Sequence, residues 1–279
     1  MTRDVFQRPP ERHEGGISRR SLLRLGLTSR ARADVDYDGV AERVRAGWDR
    51  DGHDALLRAL EPVAEVLVEA ADVGPGSRVL DAAAGDGNVA VAALERGARV
   101  EACDFSATML ARGRERCPGA AWTLADVQAL PYDDARFDAV LSSFGAVLAP
   151  RARRTAAELV RVVRPGGLIA LTAWVPRGLP GRLDELIEYP DGVRPPADWG
   201  VQAVAHERLD PLLDSLELRT RTTVLEFPDA DAFFAALLRP LPIDPVAARP
   251  HLDALLASCN NVPGRVEVSG RYLLALGRR

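Results

Sequence analysis

The chain contains no lysine, and all 36 of its basic residues are arginine. This absence excludes a Schiff-base lysine and the lysine of a phosphate-binding loop. Aromatic residues are sparse, and the three cysteines, Cys103, Cys117 and Cys259, form no Cys-x-x-Cys pair. We therefore predict neither a metal site nor a disulfide framework, and the cysteine usage is typical of a protein in the reducing cytoplasm.

Long apolar runs are also missing. No window approaches the roughly 20 apolar residues that a membrane helix needs, so no membrane span is predicted. The stretch Ser18-Arg19-Arg20-Ser21-Leu22-Leu23-Arg24 resembles a twin-arginine export signal. Only five uncharged residues separate Arg24 from Arg30, which is too few for the apolar run of such a signal. We interpret residues 1–34 as a basic N-terminal arm and expect a cytoplasmic protein.

The charge is distributed unevenly along the chain. The net charge is −4, yet residues 1–34 hold eight Arg against four Asp or Glu, which gives the arm about +4 and the remainder about −8. A nucleic-acid-binding domain normally presents a basic face. The acidic body therefore argues against a nucleic-acid substrate.

Strand and helix patterns alternate through the middle of the chain. The pattern predicts a helix over 54–71, then strands over 78–83, 99–104, 121–125, 137–143 and 168–175 with helices over 87–96, 107–117 and 153–163 between them. Such repeated units predict an α/β fold with a doubly wound, mostly parallel sheet and helices on both faces. A stretch rich in Pro and Gly, about 176–200, predicts a small cap inserted after strand 5, above the carboxyl ends of the strands. Helices over 201–216, 230–238 and 246–259 and strands over 218–227 and 265–276 complete the prediction.

A glycine loop follows the first strand of this series. Residues 79–90 read VLDAAAGDGNVA, and Gly85-x-Gly87-x-x-Ala90 matches a dinucleotide fingerprint with Asp104 at the interval of a ribose-binding acid. A dinucleotide is thus one candidate ligand. Two carboxylates at the loop, Asp81 and Asp86, would however repel a pyrophosphate at the helix N-terminus. The same carboxylates would attract an ammonium or a sulfonium.

These charges favour S-adenosylmethionine as the ligand. Asp81 suits its ammonium, Asp104 suits the two ribose hydroxyls, and Asp126 suits the adenine amine with the backbone of Val127 alongside. Gly85 and Gly87 would let the main chain approach closely. A triphosphate is disfavoured, because the loop lacks the lysine of a phosphate-binding motif.

Four segments carry a family resemblance in their order and spacing: VLDAAAGDGN (79–88), VEACDFSATML (100–110), ADVQALPYDDARFDAVLSSFG (125–145) and LVRVVRPGGLIALTAW (159–174). In them the chain resembles the class I S-adenosylmethionine-dependent methyltransferases, and specifically the subgroup similar to ubiquinone and menaquinone C-methyltransferases. The resemblance covers about residues 54–175. It implies a seven-stranded Rossmann-like methyltransferase sheet, a methyltransferase domain over 35–279, and S-adenosyl-L-homocysteine as the product formed from S-adenosyl-L-methionine.

The resemblance also extends the list of candidate site residues. It implies that Ser143 lines the methionyl end and that Phe105 and Met109 flank the ribose or adenine, while Tyr37 in the preceding segment would close the pocket. At Ala83 the family usually has glycine, and we expect cofactor binding to be retained. Alanine costs little there if φ is negative, whereas a positive φ would strain its methyl group.

The sequence assigns no catalytic residue. The weak candidates for a general base are His206 and His53, each of which is equally explained as a surface or packing histidine. Transfer of an already activated methyl group needs mainly alignment, and it needs a base only if the acceptor brings a proton into the reaction.

We predict methylation of an oxygen, nitrogen or carbon of a small organic acceptor by a monomer or homodimer. Three alternatives stay open: an NAD-dependent oxidoreductase, an S-adenosylmethionine-binding accessory protein without turnover, and a transferase that acts on protein or RNA through the basic arm.

Overall fold

The computed structural model describes residues 35–178, 181–240, 245–259 and 262–279. The predicted basic arm lies outside these residues. Seven strands form one sheet: β1 (Arg78–Ala82), β2 (Arg99–Asp104), β3 (Ala121–Leu124), β4 (Phe137–Ser143), β5 (Val163–Trp174), β6 (Ser215–Phe227) and β7 (Val266–Arg278). Their order is β3-β2-β1-β4-β5-β7-β6, and only β7 runs antiparallel to its neighbours. The predicted mostly parallel seven-stranded sheet is confirmed.

Eight α-helices are present in the described part of the chain: α1 (Tyr37–Trp48), α2 (Asp54–Ala71), α3 (Asn88–Glu95), α4 (Ala107–Arg116), α5 (Ala152–Val162), α6 (Gln202–Leu209), α7 (Ala230–Leu238) and α8 (Pro245–Cys259). Two apolar clusters cover the two faces of the sheet. One includes buried residues of α2, α3, α7 and α8, and the other includes residues of α5 and α6. The expected helices on both faces are therefore confirmed.

Helix α2 shows how the apolar pattern produces this packing. Its apolar residues recur at intervals of three and four, which places them on one helix face. All of that face is buried: Leu56, Leu57, Leu60, Val63, Ala64, Leu67 and Val68. The burial anchors α2 on the sheet beside the glycine loop.

Some element boundaries differ from the sequence prediction, and one helix was not predicted. The helix predicted over 201–216 ends at Leu209, because a 3-10 helix with Pro211 follows (Asp210–Leu212) and the chain then enters β6 at Ser215. Strand β5 begins at Val163 rather than 168, since Val163 already pairs with Phe137 ahead of an irregularity in the register. Helix α1 had no counterpart in the prediction.

The segment between β5 and α6 forms the cap. It contains two 3-10 helices, Gly181–Leu186 and Pro196–Gly200. The Asp184 carboxylate joins them by accepting a hydrogen bond from the Ala197 N–H at 2.7 Å. Within the cap, Trp199 is almost fully buried in the cluster that contains α5. The predicted insertion after strand 5 is confirmed, and the domain boundaries stay a prediction.

The helices have one further property in common. In the described residues, none combines the length and the apolar character that crossing a bilayer would require.

The ring of Trp122 is held between two glycines, and this contact provides a test of the packing. A Cβ at Gly87 would lie 2.9 Å from Trp122 Cη2, and one at Gly113 would overlap the same ring from α4. The indole N–H also donates to the Cys117 carbonyl at 3.1 Å, so the ring cannot swing away.

We expect Gly113→Ala to lower the free energy of unfolding by about 1–3 kcal/mol, the usual cost of overpacking. Gly74→Ala is the matched control, because nothing lies within 4 Å of a Cβ at Gly74. Its free energy of unfolding should stay within about 0.5 kcal/mol of the wild type. Urea denaturation measures both, and equal stabilities for the two variants would contradict the packing described here.

Candidate functional site

A cavity of about 220 Å³ lies where the parallel strands β1, β2 and β4 end. The register brings these ends together, because Asp81 pairs with Ala102 of β2 and with Leu141 of β4. Eight of the eleven predicted cofactor-binding residues line this cavity: Asp81, Ala83, Gly85, Asp104, Phe105, Asp126, Val127 and Ser143. Residues far apart in the chain thus form one wall.

The carboxylate of Asp104 holds two loops at this wall. One oxygen accepts a hydrogen bond from the Gly85 N–H of the glycine loop, and the other accepts one from the Ser106 N–H at the start of α4, both at 2.8 Å. Each oxygen keeps a lone pair for a further donor. Burial raises the pKa of Asp104 to about 6, and the backbone N–H donors oppose that rise.

Asp81 is the most deeply buried acid of the cavity. One of its carboxylate oxygens accepts a hydrogen bond from the Ala90 N–H of α3 at 2.9 Å. Burial raises its pKa to about 8, and the nearby charges of Asp104 and Asp86 add to the rise. A positive charge in the cavity would act in the opposite direction and favour the ionised carboxylate.

Asp86 was expected beside the ligand together with Asp81, but it lies outside the cavity wall. Its carboxylate forms an ion pair with Arg116 at 2.8 Å, and it does not line the cavity. Arg116 also donates to Asn88 and Glu61. The electrostatic case for a cationic ligand therefore rests on Asp81 and Asp104.

The glycine loop has three residues in the left-handed region. The φ angles are +55° at Ala83, +57° at Gly85 and +94° at Gly87. Of the two conformations considered for Ala83, the structure has the one with positive φ, and retained cofactor binding stays a prediction. The methyl group of Ala83 is strained in this conformation, by about 1–2 kcal/mol for an L-residue. The loop keeps this shape beside Gly145, where an added Cβ would lie 2.7 Å from Ala83 Cβ.

The next two strand ends supply Phe105 and Asp126. Phe105 follows β2, and the Arg45 guanidinium lies over its ring at 5.8 Å. The Asp126 carboxylate follows β3 and accepts hydrogen bonds from both the backbone and the side-chain amide of Gln128. Gln128, a cavity residue that the sequence analysis missed, thereby sets the orientation of Asp126.

Three predicted cofactor-binding residues do not line the cavity. Gly87 faces Trp122, and Met109 is fully buried beneath its own helix start, where its N–H donates to Ser106 Oγ. Tyr37 lies at the start of α1 under the Arg151 guanidinium, 5.0 Å from its ring centre. The structure places all three outside the cavity wall.

Neither histidine candidate reaches the cavity wall either. His206 is exposed on α6 and pairs with Asp210 at 2.9 Å. His53 is fully buried and packs against the Trp48 ring at 4.9 Å, with no hydrogen-bond partner for its ring nitrogens among the described residues. Burial lowers the pKa of His53, and the nearby charges of Arg112 and Arg239 lower it further. Both positions are those of surface and packing residues.

The cap side of the cavity contains Phe144, which the family resemblance also places facing the acceptor, and three residues that the sequence did not single out: Trp174, Asp184 and Tyr189. Phe144 stacks on Trp174 with ring centres 4.0 Å apart and an interplanar angle of 16°. The cap contributes polar groups: the Tyr189 hydroxyl donates a hydrogen bond to the Asp184 carboxylate at 2.9 Å. All four line the cavity. A Tyr and an Asp five residues apart in a Pro- and Gly-rich insertion carry no periodic signal that would have marked them.

One polar atom of the wall lacks a partner. Ser143 Oγ is buried and makes no hydrogen bond within the described residues. It lies at the end of β4, next to the aromatic residue Phe144. Because buried hydroxyls are normally satisfied, this atom marks a place where a polar ligand group would fit.

The conformation of Ala83 leads to a stability prediction. We expect Ala83→Gly to raise the free energy of unfolding by up to about 1 kcal/mol, because glycine removes the left-handed strain at some cost in chain entropy. Ala84→Gly is the matched control, since Ala84 is not a positive-φ residue, and it should lower the stability by about 0.5–1 kcal/mol. A chemical denaturation series of the three proteins checks this. An equal loss of stability in Ala83→Gly and Ala84→Gly would contradict the left-handed strain at Ala83.

The raised pKa of Asp81 leads to a pH prediction. The folded-state pKa of about 8 exceeds the unfolded value of 3.8, so the folded protein holds an extra proton between these values. The contribution of Asp81 to stability is therefore complete below about pH 4 and is lost as the pH rises through about 8.

Urea denaturation at pH 5, 6, 7 and 8 without ligand measures this loss. We expect the stability of the wild type to fall relative to that of Asp81→Asn as the pH rises, because the variant has no proton to lose there. Asp191→Asn, at an exposed position of the cap, should run parallel to the wild type. If the stability of Asp81→Asn changed with pH in the same way as that of the wild type, the raised pKa of Asp81 would be contradicted.

Comparisons with known proteins identify the domain. The family model of a methyltransferase domain matches residues 79–167. An uncharacterized protein of Mycobacterium tuberculosis (strain ATCC 25618 / H37Rv) is 41% identical over 175 residues, which cover 59% of this chain and 64% of the relative. A demethylmenaquinone methyltransferase of Beutenbergia cavernae is 37% identical over 135 residues, which cover 48% of this chain and 52% of the relative.

A solved structure gives the same result for the fold. The YcgJ protein from Bacillus subtilis superposes with a TM-score of 0.54 at 16% identity, covering 77% of this chain and 97% of its own. The chain spans 64% and 52% of the lengths of the two curated relatives above. The domain match and the sequence relatives show that this chain is similar to the class I S-adenosylmethionine-dependent methyltransferases, and the solved structure shows that it shares their fold.

Proposed function

We propose that this protein transfers the methyl group of S-adenosylmethionine to a small organic acceptor bound between the strand ends and the cap. The observation that carries the proposal is the pair of buried carboxylates, Asp81 and Asp104, at the wall of one cavity. Neither carboxylate has a basic side chain among its hydrogen-bond partners in the described residues. A ligand with one cationic end and two adjacent hydroxyls complements both.

The charges along the cavity support a cationic ligand over a dinucleotide. The acids of the wall outnumber its bases, which are Arg43 and Arg194; the acids are Asp81, Asp104, Asp126, Asp184 and Glu188. Of the two arginines, Arg194 pairs with Asp198 at 2.6 Å. A pyrophosphate would enter this acidic space against the charge of buried carboxylates, whereas a sulfonium and an ammonium would reduce that repulsion.

The individual residues suit the parts of S-adenosylmethionine. Asp104 would accept from the ribose hydroxyls through its remaining lone pairs, and Asp81 would face the ammonium. Ser143 Oγ would gain a partner at the methionyl end. Asp126, held by Gln128, and Val127 would lie at the adenine. Ala83 and Gly85 contribute main chain that already faces the cavity.

When bound, S-adenosylmethionine supplies a methyl group that is already activated for displacement. The task of the chain is then to hold the acceptor in line and to exclude water, and such alignment alone can contribute several kcal/mol. Helix α1 covers the cavity with Val40, Ala41, Val44 and Trp48. It is fastened by the Arg151–Asp38 ion pair at 2.8 Å and by the Ser106 hydroxyl, which donates to Asp49 at 2.6 Å. These contacts would keep bulk water from the ligand.

Isothermal titration tests the proposal directly. We expect the full chain to bind S-adenosylmethionine and S-adenosylhomocysteine but not NAD+. Asp104→Asn should weaken both affinities by about 10-fold or more, because a hydrogen bond to a charged group contributes about 1.5–3 kcal/mol. No heat with either sulfur ligand, or tight binding of NAD+, would overturn the assignment.

Asp86→Asn is the matched control for this titration. Asp86 lies in the same loop, but it is paired with Arg116 and does not line the cavity. Its substitution should change the affinity by less than about 3-fold, which corresponds to the effect of a distant charge. Turnover of the bound methyl donor with a panel of small acceptors then distinguishes an enzyme from an accessory protein that binds the donor without reaction.

A further inference from the structure

The cap places a tyrosine and an aspartate in hydrogen-bond contact at the cavity. The Tyr189 hydroxyl donates to one carboxylate oxygen of Asp184 at 2.9 Å, and the Ala197 N–H donates to the other at 2.7 Å. Both Tyr189 and Asp184 line the cavity. Since the Tyr189 proton is already committed to Asp184, the phenol oxygen has its lone pairs available to accept from a ligand.

Asp184 lacks a basic partner among the described residues. Burial raises its pKa, its two hydrogen-bond donors oppose the rise, and the charge of Asp198 adds to it. Burial also raises the pKa of Tyr189, and the neighbouring carboxylate adds to that effect. Tyr189 therefore stays protonated and donates its hydroxyl proton in a hydrogen bond to the Asp184 carboxylate.

Much of the cavity wall is aromatic and apolar, and the charged cap residues Glu188 and Arg194 also line it. The stacked rings of Phe144 and Trp174 form one part of the wall. The cap adds the apolar residues Leu183, Ile187, Pro190 and Val193. A flat, apolar molecule would bury its faces against these groups, and a single polar edge would need a hydrogen-bonding partner.

We propose that Tyr189 and Asp184 form the acceptor subsite and that this subsite selects a planar aromatic hydroxyl compound, a phenol, as the methyl acceptor. The inference rests on the proposed methyl transfer. The phenol donates its hydroxyl proton to the Tyr189 oxygen while Tyr189 passes its own proton to Asp184. The phenol oxygen forms the new bond to the methyl carbon as the carbon–sulfur bond breaks, with its electron pair leaving on sulfur.

The balance of charge favours this arrangement. Asp184 begins as a carboxylate and ends as a neutral carboxylic acid, while the sulfonium becomes a neutral thioether. Two opposite charges in a largely apolar space are removed in one step, which avoids leaving either one unpaired. Tyr189 is a neutral phenol before and after the transfer.

A binding experiment without turnover tests the subsite. The probes are two phenols, 2-naphthol and 4-phenylphenol, each compared with its methyl ether, 2-methoxynaphthalene or 4-methoxybiphenyl. Equilibrium dialysis of the full chain in the presence of S-adenosylhomocysteine measures the four affinities. We expect each phenol to bind at least about 10-fold more tightly than its ether, because a site built to accept from a hydroxyl rejects the analogue that lacks it. In Tyr189→Phe this ratio should fall to within about 2-fold.

A kinetic measurement separates proton transfer from a merely structural role of the pair in the cap. With 2-naphthol or 4-phenylphenol as the acceptor, Asp184→Asn and Tyr189→Phe should each lower kcat by about 100-fold or more, the usual contribution of acid–base catalysis. The wild type should lose activity toward low pH as Asp184 takes up a proton. Asp184→Asn, which can still accept from Tyr189 and Ala197, should lack that acid limb.

Two control variants complete the test. Asp191→Asn removes an exposed aspartate of the cap that does not line the cavity, and Tyr132→Phe removes a buried hydroxyl that does not line it either. Both should keep the phenol preference and the pH profile of the wild type. Thermal unfolding of every variant identifies any that fails to fold, and if Asp184→Asn does so, the binding ratio of Tyr189→Phe decides.

The outcomes are distinct from those of the cofactor titration. Equal affinities for phenols and ethers in the wild type, no phenol binding, or an unchanged ratio in Tyr189→Phe would each overturn the subsite while leaving S-adenosylmethionine binding untouched. A failure to bind S-adenosylmethionine would instead overturn the proposed methyl transfer.

Discussion

One buried carboxylate organises the carboxyl edge of the sheet. Asp104 accepts a hydrogen bond from the glycine loop that follows β1 and another from the first turn of α4 that follows β2. Without it, two buried backbone N–H groups at adjacent strand ends would compete for other partners, and unsatisfied donors of this kind are costly. These two contacts hold the glycine loop and the start of α4 against the same strand end. We also assign this carboxylate to the ribose hydroxyls. Asp104 would therefore both stabilise the two loops and bind the ligand.

Several buried carboxylates of the cavity have no arginine partner in the described residues. Asp86 and Glu158 are neutralised by arginines elsewhere in the structure. The cavity acids Asp81, Asp104 and Asp184 instead accept from backbone N–H groups or a phenol. Burying a carboxylate without a cation costs stability, and sites that retain this cost are frequently functional. In the proposed reaction a bound sulfonium supplies the missing positive charge at one end, and a proton taken up by Asp184 removes the negative charge at the other.

Much of the fold could be predicted, because it depends on local patterns. The alternation of apolar strands and amphipathic helices predicted the parallel sheet, and the position of the acids after β1, β2 and β3 predicted a common edge. The errors fall where tertiary contacts override local preference. The helix predicted over 201–216 is shortened by Pro211 and by the pairing of Ser215 with Arg278. Tyr37, Gly87 and Met109 lie outside the cavity wall: Arg151 covers the Tyr37 ring, Trp122 lies against Gly87, and Met109 is fully buried. Their part in cofactor binding stays a prediction.

The sequence by itself determined the order of the elements, the acidic character of the strand ends and the class of ligand that such an edge attracts. Each of these follows from residue type and spacing within a few turns of chain. Only the tertiary structure decided that Asp86 is paired with Arg116, that Ala83 takes a left-handed conformation, and that Tyr189 and Asp184 meet at the cavity. The physical reason is that each of these depends on a contact with another part of the fold: an arginine some 30 positions along the chain, a packed neighbour at Gly145, or a cap that folds back over the strand ends.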